Sequence, residues 1–563
     1  MKRLSKYHIL PALALLLFGA VLGVQFDSHV SSDDALEQFE KLKRAFVLIS
    51  GKYVEPVSSK QMAEAGVKGM LESLDPHSSY IPPEQVRDTR DRYEGSFGGI
   101  GIRFEPATEP TDTARVISPI VGGPSEKVGI MAGDRIVEIE DSTAIGLSGN
   151  EIQNRLKGEI GTEVRLTVYR PLADKRLTFT IERGEIPLYS INASYMVDEE
   201  TGYIEISRFA MSTHEEFMEK VDRLKGQGME RLVLDLRDNP GGVMQSAVKI
   251  ADELLGAGMT IVRTKGRSAE MNTRYRGHSG GALENQPVIV LVNRRSASAS
   301  EILSGALQDH DRALLVGRRT FGKALVQKQF ELNDGSLMQM TVGRYYTPVG
   351  RLIQTPYEKG NRKAYYEEKS TSFRDAVYNV EKYKEGIPDS LRYRTDHGRT
   401  VFGGGGILPD YVVAPDTTAL STFIRGSQID GLFARQWFST HEKRLRSTWQ
   451  DREDEFLASY RVPAAAVDSF WAYTQREDVL TLTSTSSEVN PKERVFARAE
   501  AQSVRDVVRS RLKGHLANVM YGTGTGRPIL NQTDPAVQRA MSLWPSSQEL
   551  AAYHTASSTM QNE

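Results

Sequence analysis

Residues 286–327 contain the clearest structural pattern in the chain. It begins with Pro287-Val-Ile-Val-Leu-Val292, an apolar run rich in β-branched residues, which is typical of a strand buried on both faces of a parallel sheet. The chain continues as Asn293-Arg-Arg-Ser-Ala-Ser-Ala-Ser-Glu301 and then places apolar side chains at helical spacing from Ile302 to Leu307. The pattern predicts a buried strand, a turn of small residues and an amphipathic helix, with serines at the junction.

A serine at a strand-to-helix turn is well placed to act as a nucleophile. Its hydroxyl projects from the carboxyl edge of the sheet, where the first free N–H groups of the helix can stabilise an oxyanion. The competing interpretation of Ser298-x-x-Glu301 is a capping box, which has no catalytic role. Lys323 favours catalysis, because it precedes Ala, Leu and Val and a desolvated, neutral amine can take a proton from serine. Gln327 is four residues further on and faces the same way as Lys323.

The run Ser296-Ala-Ser-Ala-Ser-Glu-Ile302, followed by Thr320-Phe-Gly-Lys323 and Val326-Gln327, resembles the active-site region of the carboxy-terminal (tail-specific) processing proteases. The resemblance implies a serine–lysine dyad assisted by a glutamine, which needs neither a metal nor another cofactor. The implied nucleophile is Ser298, the implied general base is Lys323, and the residue that orients the lysine is Gln327.

Asn239-Pro-Gly-Gly242 is similar to the Gly-Gly turn of the same family. The resemblance implies an oxyanion hole formed by the N–H of Ala299 and that of either Gly241 or Gly242. Pro240 has no N–H to offer, so the second donor has to come from a glycine.

Gly98-Gly-Ile-Gly-Ile102 resembles the carboxylate-binding loop of a PDZ domain, and the segment Gly123 to Ile139 resembles the part of that domain which follows. In a PDZ domain the loop N–H groups receive a peptide's terminal carboxylate and the peptide adds a strand to the sheet. The resemblance therefore implies a peptide-binding loop made of Gly98, Gly99, Ile100, Gly101 and Ile102. Asp75-Pro-His-Ser-Ser-Tyr80 is similar to the family's turn before this domain, so His77 is predicted to be a turn residue rather than a catalytic histidine.

These patterns predict a multidomain α/β (α+β) protein. Its expected parts are a signal peptide or membrane anchor (1–26), a helical region (27–85), a PDZ domain (86–185), an α/β protease core (186–415) and a helical extension of unknown role (416–563). Residues 358–400 interrupt the core and are charged and rich in tyrosine, which indicates a surface insertion. Asp235 and Arg237 are predicted to form a structural ion pair.

The composition and the amino-terminal sequence indicate where the protein is located and which classes of partner are not expected. The net charge is only −2, so nothing indicates a nucleic-acid partner. The absence of cysteine excludes disulfides and thiol catalysis. Met1-Lys-Arg-Leu-Ser-Lys6 is basic and Ile9 to Val24 is mostly apolar, which predicts an export signal. A cleaved signal peptide and an uncleaved inner-membrane anchor both remain open, and the expected location is the periplasm.

The sequence thus predicts an exported serine endopeptidase that recognises and cleaves the carboxyl tails of proteins or peptides with nonpolar last residues. Self-association as a homo-oligomer is a further expectation. One alternative is a catalytically silent PDZ scaffold. Another is a trypsin-like protease, because Gly277-His-Ser-Gly-Gly281 superficially resembles the nucleophile block of that family. That block has aspartate where this chain has histidine, so a surface loop is the preferred interpretation of Ser279.

Overall fold

The computed structural model describes residues 33–561, apart from residues 108, 110, 121, 172 and 417. The predicted export segment, residues 1–26, therefore lies outside the described residues. Within the described ranges, no helix is long and apolar enough to cross a membrane. The predicted multidomain α/β architecture is confirmed.

The amino-terminal region is helical, as predicted. Its helices are α1 (Asp33–Lys52), α2 (Ser59–Glu72) and α3 (Pro83–Glu94). The Ser58 side chain caps α2 by accepting a hydrogen bond from the Gln61 N–H. The short strand β1 (Ser79–Ile81) then pairs antiparallel with a strand of the catalytic core. This pairing brings the turn at residues 75–78 against the core.

The predicted PDZ region forms a β-sheet of order β3-β4-β5-β7-β8, with β6 on β5, and β2 pairs with β9 beside it. Its strands are β2 (Ser96–Gly99), β3 (Ile102–Glu105), β4 (Arg115–Pro119), β5 (Arg135–Ile139), β6 (Ser142–Thr143), β7 (Glu163–Arg170), β8 (Lys175–Glu182) and β9 (Gly184–Pro187). Its helices are α4 (Pro124–Lys127) and α5 (Gly149–Leu156). Ile136, Ile152 and Leu166 are fully buried in the core of this domain. Because β3 is the edge strand, it is open to an added peptide strand.

The catalytic region is built on a sheet of order β10-β11-β12-β15-β16-β21, in which only the β10–β11 pair is antiparallel. The strands are β10 (Ile191–Met196), β11 (Thr201–Ile206), β12 (Arg231–Asp235), β15 (Val288–Val292), β16 (Leu314–Gly317) and β21 (Tyr411–Val412). The accompanying helices are α6 (Thr213–Gly226), α7 (Met244–Asp252) and α8 (Ala299–Asp309). All of β15 is buried, as its apolar run predicts.

A second, antiparallel sheet lies beside the first and carries the segment after Lys323. Its order is β1-β18-β13-β14, with β17 on β18. The remaining strands of this sheet are β13 (Thr260–Gly266), β14 (Arg274–Arg276), β17 (Leu325–Glu331) and β18 (Leu337–Tyr346).

The insertion is not confined to the surface, contrary to the sequence interpretation. It forms α9 (Arg362–Tyr378), α10 (Val380–Glu385), β19 (Arg392–Arg394) and β20 (Thr400–Phe402). Tyr365, Lys369 and Ala376 of α9 are buried. The spacing of four and seven residues places these three side chains on one face of the helix, and that face packs against the core.

The carboxyl-terminal extension is largely helical, as predicted, and it has its own apolar core that includes Phe433, Phe456, Phe470 and Leu512. Its elements are α11 (Leu420–Ser427), α12 (Ile429–Trp449), α13 (Glu453–Ser459), α14 (Ala464–Arg476), β22 (Thr481–Thr483), β23 (Val495–Ala497), α15 (Arg498–Ser503), α16 (Arg505–Tyr521), α17 (Arg527–Asn531), α18 (Pro535–Met541) and α19 (Trp544–Gln561).

The last two helices, however, belong to the catalytic sheet. Val537 and Trp544 pack against Val233, Ile289 and Val316 on one face of the sheet, while α6, α7 and α8 cover the other face. A boundary at residue 416 therefore does not separate the protease core from an independent module.

Polar contacts fasten the extension to its neighbours. Arg237 bonds to Asp235 at 2.6 Å, which is the predicted pair, and also to Asp534 of the extension at 2.8 Å. Arg115 of the PDZ strand β4 pairs with Glu442 of α12. The extension thus contacts both the protease core and the PDZ domain.

Candidate active site

Ser298 occupies the turn between β15 and α8, at the carboxyl edge of the parallel sheet. Its backbone has φ +54° and ψ −112°, a region that residues with a Cβ rarely adopt. Strain of this kind is characteristic of nucleophile turns, where it presents the hydroxyl above the sheet. The side chain is half-buried.

A buried carboxylate joins the Ser298 turn to the Lys323 loop. Glu301 Oε2 accepts the backbone N–H of Ser298 and that of Lys323, both at 2.9 Å. Glu301 Oε1 accepts the Gly322 N–H and the Thr320 hydroxyl, both at 2.6 Å. Burial raises the pKa of Glu301, and these hydrogen bonds act in the opposite direction. The residue that the sequence presents as a helix cap therefore binds both segments of the site.

Tyr345 reinforces the same junction from β18. Its buried hydroxyl lies 2.6 Å from the carbonyl oxygen of Lys323 and 3.1 Å from that of Ser298. Sequence reasoning assigned no role to Tyr345, because its partners lie 22 and 47 residues away. The pairing of β17 with β18 brings Tyr345 next to the Lys323 loop.

Lys323 is held by Gln327, as the resemblance implies. Lys323 Nζ donates to Gln327 Oε1 at 2.7 Å. Burial lowers the pKa of Lys323, while the negative charges of Asp75 and Glu301 partly oppose that effect. Among the residues that the structure describes, the amine bonds to Gln327 and forms no hydrogen bond with the Ser298 hydroxyl.

Gln327 is fixed in turn by the amino-terminal turn. Gln327 Nε2 donates to the carbonyl oxygen of His77 at 2.8 Å, and Gln339 Nε2 donates to Gln327 Oε1 at 2.8 Å. Burial, followed by the positive charges of Lys323 and Lys369, lowers the pKa of His77 to about 3. His77 is thus neutral, and its contact with Gln327 is through its backbone.

The glycine turn lies directly beside Ser298. A Cβ placed on Gly241 would come within 2.8 Å of Ser298 Cβ and 3.0 Å of the Ala299 nitrogen, so no larger residue fits. The Gly241 N–H is already donated to Asn239 Oδ1 at 2.9 Å. The N–H groups of Gly242 and Ala299 have no hydrogen-bond partner within the described chain. Of the two glycines left open by the sequence, Gly242 is therefore the one with a free donor.

The PDZ loop is shorter than the sequence predicts. Gly98 and Gly99 belong to strand β2 and pair with Glu185 and Gly184 of β9. A Cβ on Gly98 would come within 2.2 Å of the carbonyl oxygen of Gly158, so glycine there serves chain packing rather than ligand approach.

In Ile100 and Gly101, which follow β2, the carbonyl groups and the N–H groups differ in their hydrogen bonding. The carbonyl groups of Ile100 and Gly101 accept hydrogen bonds from Ser125 and Ile120, at 2.9 and 2.8 Å. Their N–H groups have no partner among the residues described by the structure. Gly101 has φ +70°, a conformation that glycine adopts without strain.

The trypsin-like alternative receives no support from the surroundings of Ser279. Ser279 is exposed, and the neighbouring His278 bonds through Nδ1 to Asp252 at 2.8 Å with its side chain in solvent. No group of three or more histidine, aspartate or glutamate side chains in the described ranges is arranged to hold a metal ion.

Family comparisons match three consecutive parts of the chain. The model of Peptidase family S41 matches residues 200–359, that of the PDZ domain matches residues 98–182, and that of the activating protease CtpB N-terminal domain matches residues 22–85. A carboxy-terminal-processing protease of Bartonella bacilliformis is 36% identical over 333 residues, which cover 58% of this chain and 74% of that protein. The chain belongs to the carboxy-terminal processing protease family.

A second curated relative agrees with this membership. The carboxy-terminal processing protease CtpA of Bacillus subtilis is 32% identical over 356 residues, which cover 63% of this chain and 74% of that protein. Among solved structures, a photosystem II D1 C-terminal processing protease is 25% identical, covers 67% of this chain and 87% of its own, and has a TM-score of 0.33. The S41 and PDZ family matches and the two curated relatives identify the protein as a serine-type peptidase with a PDZ domain that acts on peptides or proteins.

Proposed function

We propose that this processing protease is an exported endopeptidase that cleaves the carboxyl tails of proteins with a Ser298–Lys323 dyad. The observation that carries the proposal is the shared carboxylate of Glu301, which accepts the N–H of both residues. This contact ties the strained serine turn to the loop of a half-buried lysine. The Gln327 amide supports the assignment because it holds the lysine amine at 2.7 Å.

In the proposed reaction, Ser298 Oγ forms a bond to the carbonyl carbon of the scissile peptide while its proton passes to Lys323 Nζ. Burial favours the neutral amine that this step needs. The N–H groups of Gly242 and Ala299 stabilise the oxyanion. When the C–N bond breaks, the Lys323 ammonium returns the proton to the leaving amine, and a water activated by the same lysine then hydrolyses the acyl-enzyme.

The PDZ domain is proposed to select the substrate by its carboxyl end. The Ile100 and Gly101 N–H groups are free to receive a terminal carboxylate, and a charged acceptor forms the stronger hydrogen bond. The edge strand β3 lies next to this loop, so the peptide can add to the sheet as a further strand. Ile102 and Phe104, which are half-buried on β3, favour nonpolar residues near the tail.

The dyad is tested with purified variants on an unfolded reporter protein. Ser298→Ala and Lys323→Ala are each expected to abolish cleavage without unfolding the protein. Lys323→Arg is expected to be nearly as damaging, because a guanidinium stays protonated and cannot act as a base. Turnover by Lys323→Ala at the parent rate contradicts the mechanism. A parent protein that binds tail peptides but cleaves none supports the silent scaffold instead.

Export and self-association complete the proposal. The basic and apolar residues up to Val24 support export to the periplasm, with or without retention at the inner membrane. Helix α1 supports self-association, because Leu36, Phe39 and Leu42 are 50–66% exposed on it. Its charges run from Glu37 and Glu40 to Lys43 and Arg44, so two antiparallel copies are complementary.

Fractionation of cells and light scattering on the purified protein test these two points. We expect protease-accessible protein in spheroplasts, and we expect the double variant Leu36→Glu/Phe39→Glu to have a smaller mass than the parent. Full-length protein in the cytosol, or a monomeric parent, contradicts the respective point.

A further inference from the structure

The insertion helix α9 lies against the active-site loop. Tyr365 and Lys369 are each 2% exposed, and Lys369 Nζ sits 3.1 Å from the ring centroid of Phe321. Phe321 precedes Lys323 by two residues and donates its N–H to the Ser296 carbonyl at 2.9 Å. The match to the S41 family model ends at residue 359, so this helix lies beyond the matched segment.

Four hydrogen bonds lead from α9 to the lysine base, and His77 joins the second to the third through its own side chain and backbone. Lys369 Nζ donates to the Tyr365 hydroxyl at 2.9 Å, and that hydroxyl lies 3.2 Å from His77 Nε2. The His77 carbonyl accepts the Gln327 amide at 2.8 Å. Gln327 Oε1 accepts from Lys323 Nζ at 2.7 Å. Helix α9 is therefore connected to Lys323 through the side chain of His77, the turn that carries the His77 carbonyl, and the side chain of Gln327.

The chemistry of the groups sets the direction of these hydrogen bonds. Burial lowers the pKa of Lys369 to about 7, so the ammonium is still populated at neutral pH. Because an ammonium only donates, the Tyr365 hydroxyl then accepts from Lys369 and has its own hydrogen available for His77 Nε2. That arrangement requires a neutral His77 ring, which agrees with the lowering of its pKa to about 3. The ring of His77 is also enclosed edge-on by Tyr365 and Phe321, with centroids 5.5 and 6.1 Å away. The orientation of the histidine is thereby fixed.

Lys369 makes one side-chain hydrogen bond in the described part of the chain, to the Tyr365 hydroxyl. It forms no ion pair with a described carboxylate, and its amine lies 3.1, 4.8 and 5.9 Å from the ring centroids of Phe321, Tyr365 and Phe373. A buried amine without a counter-ion is unfavourable compared with an apolar side chain. The charged groups that act on it are Glu301, Arg319 and Lys323, and the titratable rings beside it are those of His77 and Tyr365.

We propose that Lys369 and Tyr365 are positioning residues for the general base, acting through His77 and Gln327 on the Lys323 amine. The inference rests on the proposed dyad. Neither residue touches the substrate. They hold the His77 turn, whose carbonyl fixes the Gln327 amide. The Gln327 amide in turn fixes the Lys323 amine. Loss of either residue lets Gln327 and Lys323 move out of alignment.

Matched substitutions separate positioning from packing. Lys369→Met removes the donor at nearly constant volume, Lys369→Gln keeps a donor without the charge, and Tyr365→Phe removes only the hydroxyl. We expect Lys369→Met and Tyr365→Phe to lower kcat by between about tenfold and a hundredfold with KM unchanged, because alignment in the transition state is affected rather than binding. We expect Lys369→Gln to retain at least half of the kcat that Lys369→Met loses, which a packing role does not predict. Control variants on the same helix are Lys363→Met, whose parent side chain is 88% exposed, and Tyr366→Phe.

The double variant Tyr365→Phe/Lys369→Met completes the test. Because Lys369 acts only through the Tyr365 hydroxyl, the loss of kcat in the double variant is expected to equal that of Tyr365→Phe alone. Additive losses, an unchanged kcat, or a rise in KM alone overturn the inference. Ser298→Ala and Lys323→Ala are assayed in parallel: if these two are inactive while the α9 variants match the parent, the positioning role alone fails. Thermal unfolding of each variant reports the fold, and an unfolded Lys369→Met leaves Lys369→Gln and Tyr365→Phe as the deciding pair.

Discussion

Glu301 holds the serine and the lysine through their backbones rather than through their side chains. Its two oxygens accept from four donors: the N–H groups of Ser298, Gly322 and Lys323, and the Thr320 hydroxyl. The sequence shows only the first of these contacts, because a spacing of three residues on a helix is visible in a motif. The other three partners lie 19–22 residues further on, and their approach depends on how β16 and β17 are placed.

Glu301→Gln tests this role, since the amide nitrogen cannot accept and leaves at least one buried donor unpaired. We expect a loss of about 1–3 kcal/mol in the free energy of unfolding and a clear fall in kcat, measured by denaturant titration and steady-state kinetics. The exposed Glu331→Gln on β17 is the control. A Glu301→Gln variant with the parent's stability and kcat contradicts the role of this carboxylate.

The pH dependence follows from the direction of the pKa shift at Lys323. Only the neutral amine accepts the serine proton, and burial lowers the pKa of Lys323. The ratio kcat/KM is therefore expected to rise with pH until that lowered pKa is passed, and then to level off. Initial rates measured over a series of pH values report this rise in kcat/KM. A rate that is constant or that falls between pH 6 and the alkaline limit of stability argues against an amine base.

At the scale of elements, the PDZ loop shows what a glycine pattern can and cannot specify. Five residues, Gly98 to Ile102, fit the carboxylate-loop motif, but the first two are strand residues that pair with β9. Glycine has two uses in this segment: close packing of backbones at Gly98 and a positive φ at Gly101. A sequence does not distinguish them, because each requires only that no Cβ be present.

Gly101→Ala is therefore the informative substitution in this loop. The new Cβ would be strained at φ +70° and would come within 3.0 Å of Ile186 Cδ1, which displaces the free N–H groups. The parent should cleave a tail-tagged substrate with a free carboxyl end faster than its amidated form, and the variant should lose that preference. Gly133→Ala introduces similar backbone strain at φ +91°, in a place where the Cβ meets no atom within 4 Å. Equal preference in the parent, or loss of preference in both variants, contradicts carboxylate capture by this loop.

At the scale of the whole molecule, the carboxyl-terminal helices are the least predictable part. Amphipathic spacing indicated that they are helices, and the apolar run of β15 indicated that its sheet is covered on both faces. Nothing in either pattern states that α18 and α19 supply one of those covers, more than 200 residues after β15. The packing of α18 and α19 on the sheet follows from the shapes of the helix surface and the sheet surface. The one-dimensional pattern of apolar residues does not encode these shapes.

Truncation of the chain tests whether the carboxyl-terminal helices cover the catalytic sheet or form an independent module. A chain that ends at residue 416 exposes Val233, Ile289 and Val316, which are buried, so it is expected to be insoluble or protease-sensitive. A chain that ends at residue 552 keeps Val537 and Trp544 on the sheet and is therefore expected to remain soluble and folded in a thermal unfolding assay. A soluble, active protein ending at residue 416 contradicts the structural role of the extension.

The bond between the Gln327 amide and the His77 carbonyl spans 250 residues of chain, and residues 537–544 cover one face of the sheet beneath Ser298. A ribosome must therefore synthesise the chain at least as far as residue 544 before Ser298, Lys323 and these supporting layers exist together. Shorter nascent chains contain Ser298 without the layer that supports its sheet.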